Sequence, residues 1–239
     1  MLKKQIPNII TLLNLASGVI AILLASHGML QEAAYMVVLA SVFDFFDGFA
    51  ARLLHVKSNI GKELDSLSDM VSFGVAPAVI LYFLLCQTNI NTPVLCEISI
   101  LPAFIAILFP CFVALRLAKF NCDERQTTTF HGLPSPAAAF VLISLPFFPI
   151  VACSFWIYMG IILLLCGLML SDVELFSLKF TTYNIKDNVF RYTLLIIALF
   201  LLISLQQRSL PFIILAYVVL AMICNVRRRS RSKKENLDK

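Results

Sequence analysis

Charge is scarce in this chain: Asp, Glu, Lys and Arg make up only 14% of its 239 residues, while 60% are hydrophobic. With a mean hydropathy of +0.90, this exceeds what a soluble core of such size requires and argues against a water-soluble domain. Cysteine pairing is also missing. Cys86, Cys96, Cys111, Cys122, Cys153, Cys166 and Cys224 are dispersed, odd in number and include no CxxC pair. They read as small apolar fillers rather than a disulfide framework or a zinc site. His27, His55 and His131 lack metal-ligand spacing and read as solvated side chains. No internal repeat or low-complexity stretch is present. No cleavable leader is expected, because the first apolar run follows Lys3 and Lys4 and offers only Ala25-Ser26-His27 as a poor cleavage site.

What the chain has is long apolar runs. A membrane span needs roughly 20 apolar residues at about 1.5 Å of rise each. Runs between polar breaks predict helices at Ile9–Met29, Ala33–Leu54, Glu63–Cys86, Ile98–Leu117, Pro136–Ala152, Phe155–Leu170, Tyr192–Leu205 and Leu210–Val226. The expectation is an all-α polytopic membrane helical bundle of about eight transmembrane helices, six or seven remaining open because the fifth to seventh are short. With the N-terminus in the cytoplasm, inner segments hold Lys3 and Lys4; Arg52, Lys57 and Lys62; Arg116, Lys119 and Arg125; Lys179, Lys186 and Arg191; and the tail from Arg227. Outer connections hold Arg208 alone. This charge bias places both termini in the cytoplasm. The chain therefore divides into a membrane domain over residues 1–226 and a basic cytoplasmic tail over 227–239. That tail reads as a topology anchor and disordered end, with contact to anionic lipid as the other reading.

Four aspartates break the apolar pattern. The second span ends with Asp44 and Asp47, three apart, and the third begins with Asp65 and Asp69, four apart. Each pair lies along one helix face. The connection Leu53 to Ile60 is short enough to make the two helices antiparallel neighbours, so both pairs converge. A carboxylate in a membrane helix costs several kcal/mol unless it is paired, metal-bound or exposed to a water-filled cavity. No span interior supplies enough Lys or Arg for mutual salt bridges. Divalent cations would neutralise the cluster, and all-oxygen ligands favour a hard ion such as Mg²⁺ or Mn²⁺. Gly48, Ala50, Ala51 and Gly61 leave room for close approach. Arg52 has a planar fork suited to a phosphate, although it also fits a positive flank.

Asp44-x2-Asp47-Gly48-x2-Ala51-Arg52-x8-Gly61-x3-Asp65-x3-Asp69 resembles the complete signature of the CDP-alcohol phosphotransferase family. The resemblance implies a site for two divalent cations, Mg²⁺ or Mn²⁺, built by Asp44, Asp47, Asp65 and Asp69, with Asp69 also the general base. It implies contacts to the CDP-lipid from Gly48, Arg52 and Ser58. Pro7-Asn8-x2-Thr11 is similar to the family's nucleotide-contacting segment, which adds Asn8 and Thr11 near the cytidine. Read without the family, Pro7 and Asn8 are ordinary helix-start residues. Ile6 to Asn14, Ala114 to Asn121 and Phe130 to Ala139 resemble the phosphatidylserine synthase branch, with Lys119 where that branch suggests arginine. The family also implies a homodimer.

The activity this resemblance implies is transfer of a phosphatidyl group from CDP-diacylglycerol to L-serine, with release of CMP. The protein would be integral to the cytoplasmic (cell) membrane, its active site facing the cytoplasm, with membrane lipids as its surroundings and no nucleic acid as partner. Serine carries a carboxylate, and Arg116 is the cation proposed for it, with Asn121 and Ser135 as further acceptor contacts; Arg116 also reads as a topology flank. Gly132, Pro134, Ser135 and Pro136 read as a turn, an N-cap and a proline-started helix. Other acceptors remain open: glycerol 3-phosphate, inositol phosphate or an amino alcohol. A divalent-cation transporter is a rival of another class, though its carboxylates would sit near mid-bilayer. A scaffold with a structural metal is a third.

Overall fold

The computed structural model describes residues 2–56, 58–87, 101–122, 130–149, 155–171, 173–175 and 188–237. Lys57, Cys96, Arg125, Cys153, Lys179 and Lys186 lie outside the described residues, as do the side chains of Lys3, Lys4, His131 and the tail from Arg227. The chain is an all-α membrane bundle. Five described stretches are long and apolar enough to cross a membrane: Gln5–Ser26, Leu30–Leu53, Asn59–Gln87, Leu101–Cys122 and Val189–Cys224. Ser135–Phe147 and Phe155–Leu170 are shorter apolar helices.

Helices α1 (Leu2–Ser26) and α2 (Leu30–Leu53) form an antiparallel hairpin. Gly28, at φ 81°, makes the turn: its N–H reaches Ala25 O at 2.9 Å and the Met29 N–H reaches Leu24 O at 3.0 Å. This is a Schellman closure, in which glycine takes the left-handed position without a Cβ penalty. The third span is not one uniform helix. It runs as α3 (Asn59–Asp69), a π-helical segment (Met70–Val75) and α4 (Ala76–Gln87).

Helix α4 lies at the centre, packed against α1, α2, α5 (Leu101–Cys122) and α6 (Ser135–Ser144). Phe73, Ile80, Leu81, Leu84 and Leu85 of this span are fully buried, and Leu142 and Ile143 of α6 meet the same core. Of the third span's most apolar window 56% is buried, against 6% for Val189–Cys224, so the last segment is peripheral. Its side chains Ile196 and Ile203 are 69% and 74% exposed, as suits a surface facing lipid chains.

Val189–Cys224 is not a single rod. Gln206, at φ 50° and ψ −124°, ends α8 (Val189–Leu205). A 3-10 turn spans Gln206–Ser209, and α9 (Leu210–Leu237) packs against α8. Helix α9 runs on past Val226 to Leu237, so residues 227–237 of the basic tail are helical rather than the disordered end expected. Arg208 Nε donates to Phe147 O at 2.7 Å, and Gln31 Nε2 to Pro146 O at 3.3 Å. These contacts tie the 3-10 turn Leu145–Phe147 after α6 to the start of α2 and to the turn between α8 and α9. Gln31 stands about 24 Å along α2 from Asp47 at 1.5 Å per residue, so this is the end remote from the aspartates.

Among the described residues, one two-stranded ladder departs from the helical pattern. Strands β1 (Phe130–His131) and β2 (Glu174–Leu175) pair antiparallel, with Phe130 opposite Leu175 and His131 opposite Glu174. Among the described residues, Cys86, Cys111, Cys122, Cys166 and Cys224 are free thiols; only Cys166 is buried, while Cys86, Cys111 and Cys122 are exposed.

Candidate active site

The connection between α2 and α3 brings the acidic pairs together. The His55 N–H reaches Arg52 O at 3.2 Å and the Val56 N–H reaches Ala51 O at 3.0 Å, a second Schellman closure. Here the left-handed residue is His55 rather than glycine, at φ 51°. Two residues beyond Val56, Ser58 adopts extended backbone and its Oγ accepts from the Gly61 N–H at 3.3 Å, capping α3. A C-cap and an N-cap this close reverse the chain tightly. The last turns of α2 then lie beside the first turns of α3.

Carboxylate oxygens of Asp44, Asp47 and Asp65 consequently lie within 4.8 Å of one another. Asp69, a turn deeper, interacts with Asp44 and Asp65 through the same space. Asp47 is only 7% exposed. Helix α1 supplies the third wall. Thr11 Oγ1 donates to Asp47 Oδ2 at 2.7 Å, with Pro7 O at 3.0 Å as its other acceptor. Asn14 Nδ2 donates to Asp69 Oδ1 at 3.3 Å. One helix thus holds one carboxylate from each acidic pair.

Between α1, α2 and α3 opens a pocket of about 380 Å³. Asn8, Thr11, Asp47, Gly48, Ser58 and Asp65 line it. Gly61 presses against Asn8: a Cβ there would come within 3.1 Å of Asn8 Oδ1. Around Gly48 the nearest atoms are the Arg52 guanidinium nitrogens, 3.8 and 4.0 Å from where a Cβ would stand. Arg52 itself is exposed at the pocket edge.

From α5 the Arg116 guanidinium reaches toward the same centre. Its Nη1 donates to Ser135 Oγ at 2.8 Å, and its charge interacts with Asp69. Arg116 Nε is buried with no hydrogen-bond partner among the described residues. Ser135, fully buried, is placed by the turn before α6. Gly132, at φ +74°, lies against the carbonyls of Met169 and Ser171 at the end of α7 (Phe155–Leu170). The Leu133 N–H bonds to Leu168 O at 3.0 Å, so the turn caps α7 while starting α6.

The acidic cluster fits hard cations. Its donors are all carboxylate oxygens, the ligand set such ions prefer. Asp65 Oδ1 is buried without a hydrogen-bond partner, the state of an oxygen reserved for a ligand.

A family model described as CDP-alcohol phosphatidyltransferase matches residues 4–173. The chain belongs to that family. This CDP-alcohol phosphatidyltransferase is similar to a CDP-diacylglycerol–serine O-phosphatidyltransferase of Bacillus subtilis (strain 168), 36% identical over 144 residues, covering 60% of this chain and 76% of the relative. A protein of the same name from Helicobacter pylori (strain J99) is 32% identical over 187 residues, 75% of each chain. An archaetidylserine synthase of Methanothermobacter thermautotrophicus is 37% identical over 144 residues, covering 58% of this chain and 56% of the relative.

Within this CDP-alcohol phosphatidyltransferase the residues singled out by sequence fall into separate neighbourhoods. Asn8, Thr11, Gly48 and Ser58 share the pocket, and Arg52 stands at its edge. Arg116 and Ser135 are joined to each other, and the charge of Arg116 interacts with Asp69. Asn121 is turned elsewhere: its Nδ2 donates to Ser66 Oγ at 2.9 Å and its carbonyl receives Lys62 Nζ at 3.4 Å. Five residues on from Arg116, it points away from Arg116 around the helix. Sequence reasoning missed Asn14 as the partner of Asp69. The available signal was its place three residues after Thr11, on the same helix face.

Proposed function

We propose that this protein transfers the phosphatidyl group of CDP-diacylglycerol to L-serine, giving phosphatidylserine and CMP. The observation that supports the choice of acceptor is the buried guanidinium of Arg116, held by Ser135 and close enough to Asp69 for their charges to interact. Serine matches that pair of groups. Its carboxylate suits Arg116, and its hydroxyl then falls to Asp69. A phosphorylated acceptor would call for a denser cationic pocket. The names of the relatives from Bacillus and Helicobacter support the same acceptor.

Asp44, Asp47, Asp65 and Asp69 would hold two divalent ions, Mg²⁺ or Mn²⁺. Such ions, when bound, offset the charge of a pyrophosphate and favour departure of CMP. The chain's own groups do the rest. The 380 Å³ pocket takes the CDP moiety, with Asn8, Thr11, Gly48 and Ser58 along its wall and Arg52 at its rim. Asp69 accepts the proton of the serine hydroxyl as that oxygen bonds to the lipid-side phosphorus. The bond from that phosphorus to the CMP oxygen breaks, and CMP leaves with the electron pair. Arg116 holds the acceptor in line through a bidentate fork.

Our topological reading places the site at the cytoplasmic face of the cell membrane, with both termini inside. The concentration of Lys and Arg at one set of connections supports it. The break at Gln206 and the two shorter helices support eight crossings. A homodimer is part of the proposal by family resemblance alone.

Purified protein should release CMP from CDP-diacylglycerol only when serine and Mn²⁺ or Mg²⁺ are both supplied. Faster release with glycerol 3-phosphate, inositol phosphate or ethanolamine than with serine would overturn the acceptor assignment. Release that ignores the metal would overturn the site.

A further inference from the structure

We propose that Asn14 is a positioning residue for Asp69: it occupies one carboxylate oxygen and so reserves the other for the acceptor's proton. This inference rests on the reading of Asp69 as proton acceptor.

Three contacts give Asn14 this place. Its side chain is completely buried on α1, and its Nδ2 donates to Asp69 Oδ1 at 3.3 Å. Its backbone carbonyl receives Ser72 Oγ at 3.0 Å. One turn further along α1, Gly18 lies so close to Ser72 that a Cβ would stand 2.5 Å from its Oγ and 2.9 Å from its Cα. Ser72 belongs to the π segment that begins immediately after Asp69. A π turn carries an extra residue and so rotates the helix on its N-terminal side relative to the helix on its C-terminal side. Helix α1 therefore grips the third span on both sides of the point where its winding changes, and the rotation of Asp69 is set there.

The amide is also costly where it stands. Asn14 Oδ1 is buried with no partner among the described residues, an arrangement that opposes stability by about 1–3 kcal/mol. A residue needed only for packing would not carry that oxygen. Asparagine supplies what Asp69 needs: a neutral donor that adds no charge to an acidic cluster. Aspartate at the same place would add another carboxylate, and leucine would leave Asp69 Oδ1 without its donor.

The test uses the full-length protein with Asn14→Leu, which keeps the branching at Cγ without the amide, and the smaller Asn14→Ala. Loss of a hydrogen bond to a charged acceptor should lower kcat about 10- to 100-fold. KM for CDP-diacylglycerol and for serine should stay within about twofold, the signature of an interaction used at the chemical step. Mn²⁺ affinity, measured by titration calorimetry without substrate, should fall by clearly less than kcat does, because Asp44, Asp47 and Asp65 keep their own ligand oxygens. Added to Asp69→Asn, Asn14→Leu should alter the residual turnover by less than about twofold, because residues acting as one unit are not additive. Retained kcat in Asn14→Leu would overturn the proposal. So would a parallel loss of Mn²⁺ affinity or of substrate binding, which marks a structural role. Asp69→Asn alone reads the base assignment separately: near-normal turnover there sinks that assignment. Should Asn14→Leu not accumulate, Asn14→Ala removes the same donor without added bulk and is read by the same criteria.

Discussion

Thr11 Oγ1 donates to Asp47 Oδ2 at 2.7 Å, joining the first helix to the acidic end of the second across 36 residues of chain. The hydroxyl is buried, and Asp47 is nearly so. Thr11→Val keeps the branched shape and removes the donor. A hydrogen bond to an ionised group contributes about 1.5–3 kcal/mol, so Mn²⁺ affinity should fall about 10-fold or more. Calorimetric titration of the substrate-free protein measures it, and Thr11→Ser should restore most of the loss.

Arg116 and Ser135 should act on the acceptor alone. Arg116→Ala is expected to raise the serine KM about 10- to 100-fold, with the CDP-diacylglycerol KM within about twofold. Arg116→Lys keeps the charge and loses the fork, so its serine KM should lie between. Ser135→Ala removes one of the guanidinium's anchors and should have the mildest effect. Initial rates over a serine series decide it; an unchanged serine dependence in Arg116→Ala refutes the assignment.

The turn before α6 is intolerant of side chains. Gly132 combines φ +74° with backbone carbonyls of Met169 and Ser171 against its open side. Gly132→Ala meets both the left-handed penalty of about 1–2 kcal/mol and a clash with carbonyls that cap another helix. A lower thermal midpoint is expected, with a raised serine KM because Ser135 moves with the turn. Unchanged melting by intrinsic fluorescence would contradict this account.

Metal removal supplies the broadest check. Carboxylates clustered this closely repel one another, and bound cations relieve that repulsion. EDTA treatment should abolish CMP release and lower the thermal midpoint. Mn²⁺ or Mg²⁺ should restore both, while Na⁺ at equal ionic strength should restore neither.

The meeting of the acidic pairs was legible because it depends on local quantities: spacings of three and four along a helix, and a short connection. Span ends were less so. Helix α5 continues to Cys122, past the expected end at Leu117, because Arg116, Lys119 and Asn121 at a membrane surface do not stop a helix. Helix α6 stops early, at Ser144, where Pro146 brings in a 3-10 turn. The π segment Met70–Val75 was invisible, since its residues read like any other apolar stretch. His55 gave no sign of a left-handed cap, a place normally signalled by glycine. Asn14 looked like one polar residue in an apolar run. Its partner, Asp69, lies 55 residues away, and only packing reveals it.

Placing the donors on α1 also gives chain order a meaning during synthesis. Thr11 and Asn14 precede every acidic residue they serve, and α1 packs along both α2 and α3. A nascent chain that inserts from its N-terminus thus presents a polar groove before Asp65 and Asp69 emerge. The helix that would be hardest to leave alone in lipid arrives to find its binding surface already laid down.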